Sequence, residues 1–242
     1  MELWVFGATV LGTSFLSGVM GMAGGMILMG VLAYHLPVTA AMALHGATQI
    51  TANGARAALL HRSIAWGGIR NYVIGFVVAL SLFAVSDYVP PKRLIYLSLG
   101  ILPFVGLLVP KAHAPDFSKL WHQRICGFLV GIVQMLAGAS GAVLDMFFVR
   151  SGLDKNRTIA TKAFTQVLGH GGKLAYYGTL LVAAKDATLT PAWLGVAVVA
   201  AIVGTKLGTL VADRLDEGRF RALSSAAIAL IGVVYLYKAM VP

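Results

Sequence analysis

Acidic residues and cysteine are scarce in this chain of 242 residues. Only nine residues are Asp or Glu, and all charged residues together make up 12%, against roughly a quarter in a typical soluble domain. That composition argues against a water-soluble globule, and the 58% of apolar residues rules out disorder as well. A disulfide scaffold is excluded because Cys126 is the only cysteine.

The scarcity of acids leaves a net charge of +10. In a chain this apolar, basic loops that orient a membrane protein explain the charge better than nucleic-acid binding, and attraction of an anionic solute is a second explanation. We therefore expect a small anionic solute and the lipid bilayer as partners, and no nucleic acid; a homodimer stays open. We also expect no metal and no cofactor, because no His pair has ligand spacing with an acid.

Long apolar blocks predict an all-α membrane protein. The chain starts with Met1-Glu2 and turns apolar at once, which predicts a first membrane segment rather than a cleavable signal. Six blocks have ordinary spanning length, about 20 residues, whereas two run about 30 residues at 1.5 Å each and contain clusters of small residues. The eight blocks are 3–34, 38–60, 64–85, 92–109, 121–149, 155–181, 191–212 and 219–240.

The two halves of the chain resemble each other. A shift of 117 positions aligns Gly21 with Gly138, Gly24 with Gly141, Met29 with Met146, Thr48-Gln49 with Thr165-Gln166, Gly54 with Gly171, and Arg56 with the like-charged Lys173. The matched positions are small or polar, which chance matching of apolar composition explains poorly. We therefore predict two transmembrane repeats, residues 1–117 and 118–242.

The positions of Lys and Arg predict how the repeats are oriented. If the two long blocks each cross the membrane once, the loop cations show no bias between the sides. If each block is a re-entrant hairpin, eleven loop cations lie on one side, against four (Lys92, Arg93, Lys185 and Lys238) on the other. Because Lys and Arg accumulate in cytoplasmic loops, we favour hairpins. Each repeat then has a hairpin followed by three transmembrane helices, the repeats are inverted, and both termini are periplasmic or extracellular.

The interrupted blocks predict a solute site. Inverted repeats with broken helices bind solutes near the bilayer midplane, and we expect second half-helices to begin near Met26 and Ala142. Their first amides lack intrahelical acceptors and favour an anion. Packing of small residues is the alternative explanation for these glycines. The candidate residues at the breaks are Met22, Ala23, Gly24, Gly25, Gly138, Ala139, Ser140 and Gly141.

Polar residues within the spans extend the candidate site, because such residues usually face the protein interior. They are Thr48, Gln49, Asn53, Arg56, Thr165, Gln166, His170 and Lys173. The amides and hydroxyls either donate to a solute or hold helices together. The two cations either contact an anion or extend to the membrane interface.

Two further residues are candidates for proton coupling. Asp145 is a carboxylate within a span and aligns with Leu28, so it is either a proton carrier or the ion-pair partner of Lys162 or Lys206. His45 aligns with Lys162 and is either a proton relay or a hydrogen-bonded interior group. For both residues the structural role is favoured.

Several motifs in order resemble the TauE/SafE family of small membrane transporters, over essentially the whole chain. They are Gly18-x-x-Gly21-x-x-Gly24-Gly25, Ile64-Ala65-Trp66, Gly138-x-x-Gly141, Gly204-x-x-x-Gly208-Thr209, Ala212-Asp213-Arg214-Leu215 and Phe220-Arg221. The resemblance implies a transporter, not an enzyme, that moves sulfite, sulfonates or similar sulfur oxyanions across the cell inner membrane, usually outward. The residues alone indicate only a small anionic solute, moved by alternating access around the two hairpins.

Two other functions stay open. Gly138-Ala139-Ser140-Gly141 matches the G-x-S-G of rhomboid-type intramembrane serine proteases, with His170 as the base. Against this, Ser140 aligns with Ala23 and His170 aligns with Asn53. An anion channel is the third interpretation.

Overall fold

The computed structural model of the chain is helical, which confirms the predicted all-α class. It describes residues 1–20, 23–185, 190–212, 214 and 217–241, and no strand occurs within them. Short 3₁₀ turns lie at His61–Ser63 and Lys111–His113. The ten α-helices of the described chain are α1 (Leu3–Met20), α2 (Ala23–His35), α3 (Val38–Leu59), α4 (Trp66–Ala84), α5 (Lys92–Leu108), α6 (Leu120–Ala137), α7 (Gly141–Phe148), α8 (Lys155–Ala183), α9 (Pro191–Ala212) and α10 (Glu217–Met240).

Residues that suit helix N-termini begin several of these helices. Pro37 and Pro91 occupy the positions before α3 and α5, and Pro191 is the first residue of α9, where a missing N–H costs nothing. Asp154 caps α8, because its side chain accepts a hydrogen bond from the Arg157 amide at 2.9 Å.

Each of the two long apolar blocks consists of two helices. α6 ends at Ala137, and Gly138 then adopts a left-handed conformation (φ 76°) before α7 begins at Gly141, within one residue of the prediction. α2 begins at Ala23, three residues before the predicted start near Met26. That prediction was wrong because the glycines after Ala23 are not a loop: they form the first turn of the helix.

The outer surface of the helices is apolar. Two helices, Trp66–Ala84 and Pro191–Val211, are long and apolar enough to cross a membrane by length and composition alone. The central α3 and α8 are less apolar because they carry the polar residues singled out above. Large apolar side chains are exposed on α4 and α9, as expected for helices that face lipid: Ile74, Val77, Val78, Leu82, Val199, Ile202, Val203 and Leu207.

Helix pairs pack closely through glycines. α3 packs on α8, α5 packs on α10, α1 lies along α9, and α4 lies along α6. A Cβ on Gly75 would lie 1.9 Å from the Arg124 carbonyl oxygen, and one on Gly208 would lie 2.1 Å from that of Phe15. Only glycine allows the backbones to approach this closely.

The pair α3 and α8 is antiparallel and forms the centre of the fold. At one end the Ala65 amide, just after α3, donates to Thr161 Oγ1 at 2.9 Å. At the other end Gly46 lies against the backbone of His170. Side chains from α3 and α8 therefore meet along the whole crossing, next to the breaks before α2 and α7.

Candidate functional site

Buried polar side chains gather where α3 and α8 cross. A polar group out of water is costly unless it is hydrogen-bonded, so a cluster of this size needs an internal network. Its members are His45, Gln134 and Lys173 (each 0% exposed), Ser140 (1%) and His170 (3%). They come from α3, α6, α8 and the segment between α6 and α7.

Lys173 is the basic side chain of this cluster. Its Nζ donates to His45 Nδ1 at 2.6 Å and to the Gly138 carbonyl oxygen at 2.8 Å. Of the two roles that the sequence left open for Lys173, extension to the membrane interface does not fit, because its side chain turns inward toward α3 and is fully buried.

His45 connects the two interrupted blocks. Its Nε2 donates to the Gly25 carbonyl oxygen at 2.8 Å, since a carbonyl can only accept. The Nδ1 atom is then free to accept from Lys173 in the neutral imidazole. A continuous chain of hydrogen bonds thus runs from Gly25 in the first turn of α2, through His45 and Lys173, to Gly138 after α6.

Gln134 organises the second break. Its Nε2 donates to His170 Nδ1 at 2.7 Å and to the Gly138 carbonyl oxygen at 3.2 Å. Its Oε1 accepts a hydrogen bond from the Ser140 hydroxyl at 2.7 Å. Gln166 Nε2 in turn donates to Ser140 Oγ at 3.4 Å. The side chains of two helices therefore hold the segment before α7.

The glycines at the breaks are in close packing contacts. A Cβ on Gly24 would lie 1.9 Å from the Thr13 carbonyl oxygen, so α2 begins directly against α1. A Cβ on Gly138 would lie 2.5 Å from Met29 Sδ. At Gly24 the packing explanation that the sequence left open is therefore the one that the geometry supports.

Three other candidates line the same region. Gly25 faces the Gln49 side chain, with an ideal Cβ 3.4 Å from its Nε2. Ala139 is half-buried between Gly138 and Ser140, and Gly141 is the first residue of α7. Met22 lies outside the described residues.

Several polar candidates bond within their own helix. The Thr48 hydroxyl donates to the Leu44 carbonyl oxygen at 2.9 Å, and that of Thr165 donates to the Lys162 carbonyl oxygen at 2.8 Å. Asn53 Nδ2 donates to the Gln49 carbonyl oxygen at 3.0 Å. Each of the two threonine hydroxyls therefore donates its proton within its own helix, and among the described hydrogen bonds neither links two helices.

A second group of charges lies further along the same crossing. Asp145 of α7 forms an ion pair with Lys162 of α8, one of the two partners that the sequence offered. Arg56 of α3 is half-buried, and the antiparallel register set by the His45–Lys173 contact places it opposite Lys162. The 117-residue alignment matches Arg56 with Lys173 and Lys162 with His45, so the two charged groups occupy corresponding positions.

Gln134 is the site residue that the sequence analysis missed. It is polar, lies within an apolar block and precedes the Gly138 cluster by four residues, which was a usable signal. In the 117-residue alignment of the two halves, Gln134 matches Ser17. A residue that has a role in only one half has no equivalent in the other half, so an alignment of the two halves does not identify it.

The geometry does not favour a serine nucleophile. Among the described hydrogen bonds, Ser140 donates to Gln134 and His170 accepts from Gln134, so the amide separates the serine from the imidazole. A base must contact the proton that it removes. Within the described residues no group of three potential metal ligands occurs either.

Comparison with known proteins identifies the family. A family model described as sulfite exporter TauE/SafE matches residues 5–235. Neither a curated protein nor a solved structure gives a match. The matched range contains every helix up to the last turns of α10, including both breaks and the Lys173 cluster, and it identifies a membrane transporter of small sulfur-containing anions. The chain therefore belongs to the TauE/SafE family of sulfite exporters.

Proposed function

We infer that the protein exports a small sulfur oxyanion, sulfite or an organosulfonate, from the cell by alternating access. The anion binds between the two breaks, against Lys173 and the first turns of α2 and α7. Gly25, Gln49, Gln166 and the Gly138–Gly141 segment form the surrounding wall, and Gly24 packs α2 against α1 behind it.

The observation that carries this proposal is a fully buried lysine side chain that has no carboxylate beside it among the described residues. Among the described residues, Lys173 contacts only neutral partners, the His45 imidazole and the Gly138 carbonyl. Holding a positive charge out of water without a counterion costs several kcal/mol, about 3–5 when a buried pair loses one partner. An arriving anion supplies that counterion, and its negative charge makes the site selective.

The helix termini add a second attraction. α2 starts at Ala23 and α7 starts at Gly141, and hydrogen bonds from His45 and Lys173 tie these starts to the same cluster. The first amides of a helix have no intrahelical acceptor and carry about half a positive charge together. Three sulfur-bound oxygens can accept from amides on both helices at once.

The packing of the helices supports two inverted repeats, 1–117 and 118–242, each with a re-entrant hairpin. The 117-residue shift places α1 on α6 and α3 on α8, and α4 and α9 follow these helices in the same order in their halves, so the α1–α9 contact corresponds to the α6–α4 contact. The α3–α8 and α5–α10 contacts each join two equivalent helices, so exchanging the halves leaves both contacts unchanged. In the same way α2 packs on α10, and α7 packs on α5. A two-fold relation between halves produces such a pattern.

The distribution of Lys and Arg supports the orientation. Arg62 follows α3, Arg150 precedes α8 and Arg157 lies in the first turn of α8, which favours a cytoplasmic position for those ends. Both chain termini then lie on the opposite side. An anion that leaves the cell moves down the usual electrical gradient.

Contact with Lys173 makes His45 a better candidate for proton coupling than Asp145, since the Asp145 carboxylate is already paired with Lys162.

The test is counterflow in proteoliposomes. Vesicles preloaded with unlabelled sulfite should accumulate external ³⁵S-sulfite transiently and saturably, and methanesulfonate should compete whereas chloride should not. Uptake that does not depend on internal sulfite and does not saturate would indicate an anion channel instead. Absence of uptake and of binding for every oxyanion would overturn the proposed function.

A further inference from the structure

We propose that Arg56 and Lys162 form a second anion-binding site, at the cytoplasmic end of the α3–α8 crossing, and that Asp145 is a built-in competitor that the solute must displace. This inference rests on the proposed function. It assigns Asp145 to the control of solute entry rather than to the stability of the fold or to proton transfer.

The first step is the correspondence between the two ends of the crossing. α3 and α8 are antiparallel, and His45 of α3 contacts Lys173 of α8 at one end of the crossing. Eleven residues further along α3 and eleven residues back along α8, the same register places Arg56 opposite Lys162. The 117-residue shift converts the first pair into the second, so inverted repeats give the transporter a pair of basic residues on each side of its centre.

The second step is the difference in charge between the pairs. The His45–Lys173 pair contacts no carboxylate among the described residues, whereas Lys162 contacts Asp145. The repeat partner of Asp145 is Leu28, so the carboxylate is an addition of the second half. Two cations against one carboxylate leave the Arg56–Lys162 end positive and able to attract an anion.

The third step is access. The side chains of Lys162 and Asp145 are 29% and 37% exposed, whereas Lys173 and His45 are fully buried. The Arg56–Lys162 end is therefore the open end in this conformation, and the His45–Lys173 end is closed. An ion pair that is partly solvated contributes only about 0–1 kcal/mol, so a solute anion can replace its carboxylate at little cost.

A purely structural ion pair would have a different setting. A pair that stabilises the fold is usually shielded from water, and it would not need a second cation beside it. A proton carrier would have to exchange protons with its surroundings, whereas the Asp145 carboxylate is paired with Lys162. A partly exposed carboxylate that pairs with one of two neighbouring basic residues instead resembles a weakly held, exchangeable ligand.

The experiment is a binding measurement on the purified full-length protein. Sulfite affinity is measured by calorimetry for wild type, Asp145→Asn and Asp145→Leu, the last giving the residue of the first half. Removal of the competitor should tighten binding about two- to fivefold, whereas the charge-preserving Asp145→Glu should bind like wild type. Lys162→Gln should weaken binding, and Asp145→Asn in the Lys162→Gln background should no longer tighten it.

Each other outcome counts against the proposal. Unchanged or weaker sulfite binding in both folded variants, with wild type binding normally, would overturn the role of Asp145 and leave the proposed function intact. Normal binding with loss of pH-driven transport in Asp145→Asn would indicate a proton carrier instead. Failure of wild type to bind sulfite or methanesulfonate would overturn the proposed function itself, and with it this inference.

Discussion

Lys173 Nζ lies 2.6 Å from His45 Nδ1, across the antiparallel crossing of the two helices that the 117-residue repeat relates. The contact joins the break before α2 to the break before α7, because His45 also binds Gly25 and Lys173 also binds Gly138. A change in the backbone of either break therefore alters the hydrogen bonds of the other. A solute that competes for Lys173 would break the hydrogen-bonded connection between the two breaks.

Replacing Lys173 by methionine should remove anion binding without harming the fold. Methionine fills a similar volume, and loss of a buried charge relieves its desolvation cost. We expect sulfite binding to weaken about 10-fold or more, since a hydrogen bond to a charged group contributes about 1.5–3 kcal/mol. The unfolding temperature should change little, because relief of the desolvation cost is offset by the loss of the donor to buried His45 Nδ1. Lys206→Met is the matched control, because Lys206 is an exposed lysine of a spanning helix and should bind sulfite normally. Equal affinity for both variants would contradict the site.

Replacing His45 separates binding from proton coupling. His45→Phe removes the acceptor for Lys173 and the donor for the Gly25 carbonyl, so it should weaken methanesulfonate binding about tenfold. His45→Gln offers both an acceptor and a donor, and should recover most of that affinity. Because glutamine does not titrate, an imposed pH gradient should no longer drive methanesulfonate uptake in the His45→Gln proteoliposomes. Gradient-driven uptake at the wild-type level would exclude His45 as the coupling group.

The sequence predicts the helices and their interruptions more reliably than it predicts the positions of the site residues. Clusters of glycine located both interruptions, since a run of about 30 apolar residues must break within the bilayer. The start of α2 was misplaced because glycine is tolerated in a helix at about 1 kcal/mol, so Gly24 and Gly25 did not mark its boundary. The burial of Lys173 could not be predicted either, because its distance from the helix end does not tell which face it occupies.

The network around Gln134 predicts unequal effects for two neighbouring substitutions. Gln134→Leu leaves the Ser140 hydroxyl, the His170 ring and one bond to the Gly138 carbonyl without their partner. Each unsatisfied buried group costs about 1–3 kcal/mol, so we expect a large loss of thermal stability and of transport. Ser140→Ala removes one hydroxyl, costs about 1 kcal/mol and should retain sulfite counterflow. A Ser140→Ala protein that folds but does not transport sulfite would show that the Ser140 hydroxyl is essential for function.

Two glycines of the α1–α2 pair should respond oppositely to alanine. A Cβ on Gly24 would lie 1.9 Å from the Thr13 carbonyl oxygen and 2.5 Å from the Ser17 amide nitrogen, both rigid backbone atoms, so α2 must move away from α1. We expect Gly24→Ala to lower the free energy of unfolding by about 1–3 kcal/mol and to weaken sulfite binding, because that movement carries the Gly25 carbonyl away from His45. Gly12→Ala is the control on the same helix pair: nothing lies within 4 Å of its ideal Cβ, and helical alanine should stabilise the protein by about 0.4–1 kcal/mol. Thermal unfolding and sulfite calorimetry on both variants test the pair. Equal stability of the two variants would mean that α1 and α2 do not approach each other through Gly24. That result would contradict the proposed contribution of α2 to the anion site.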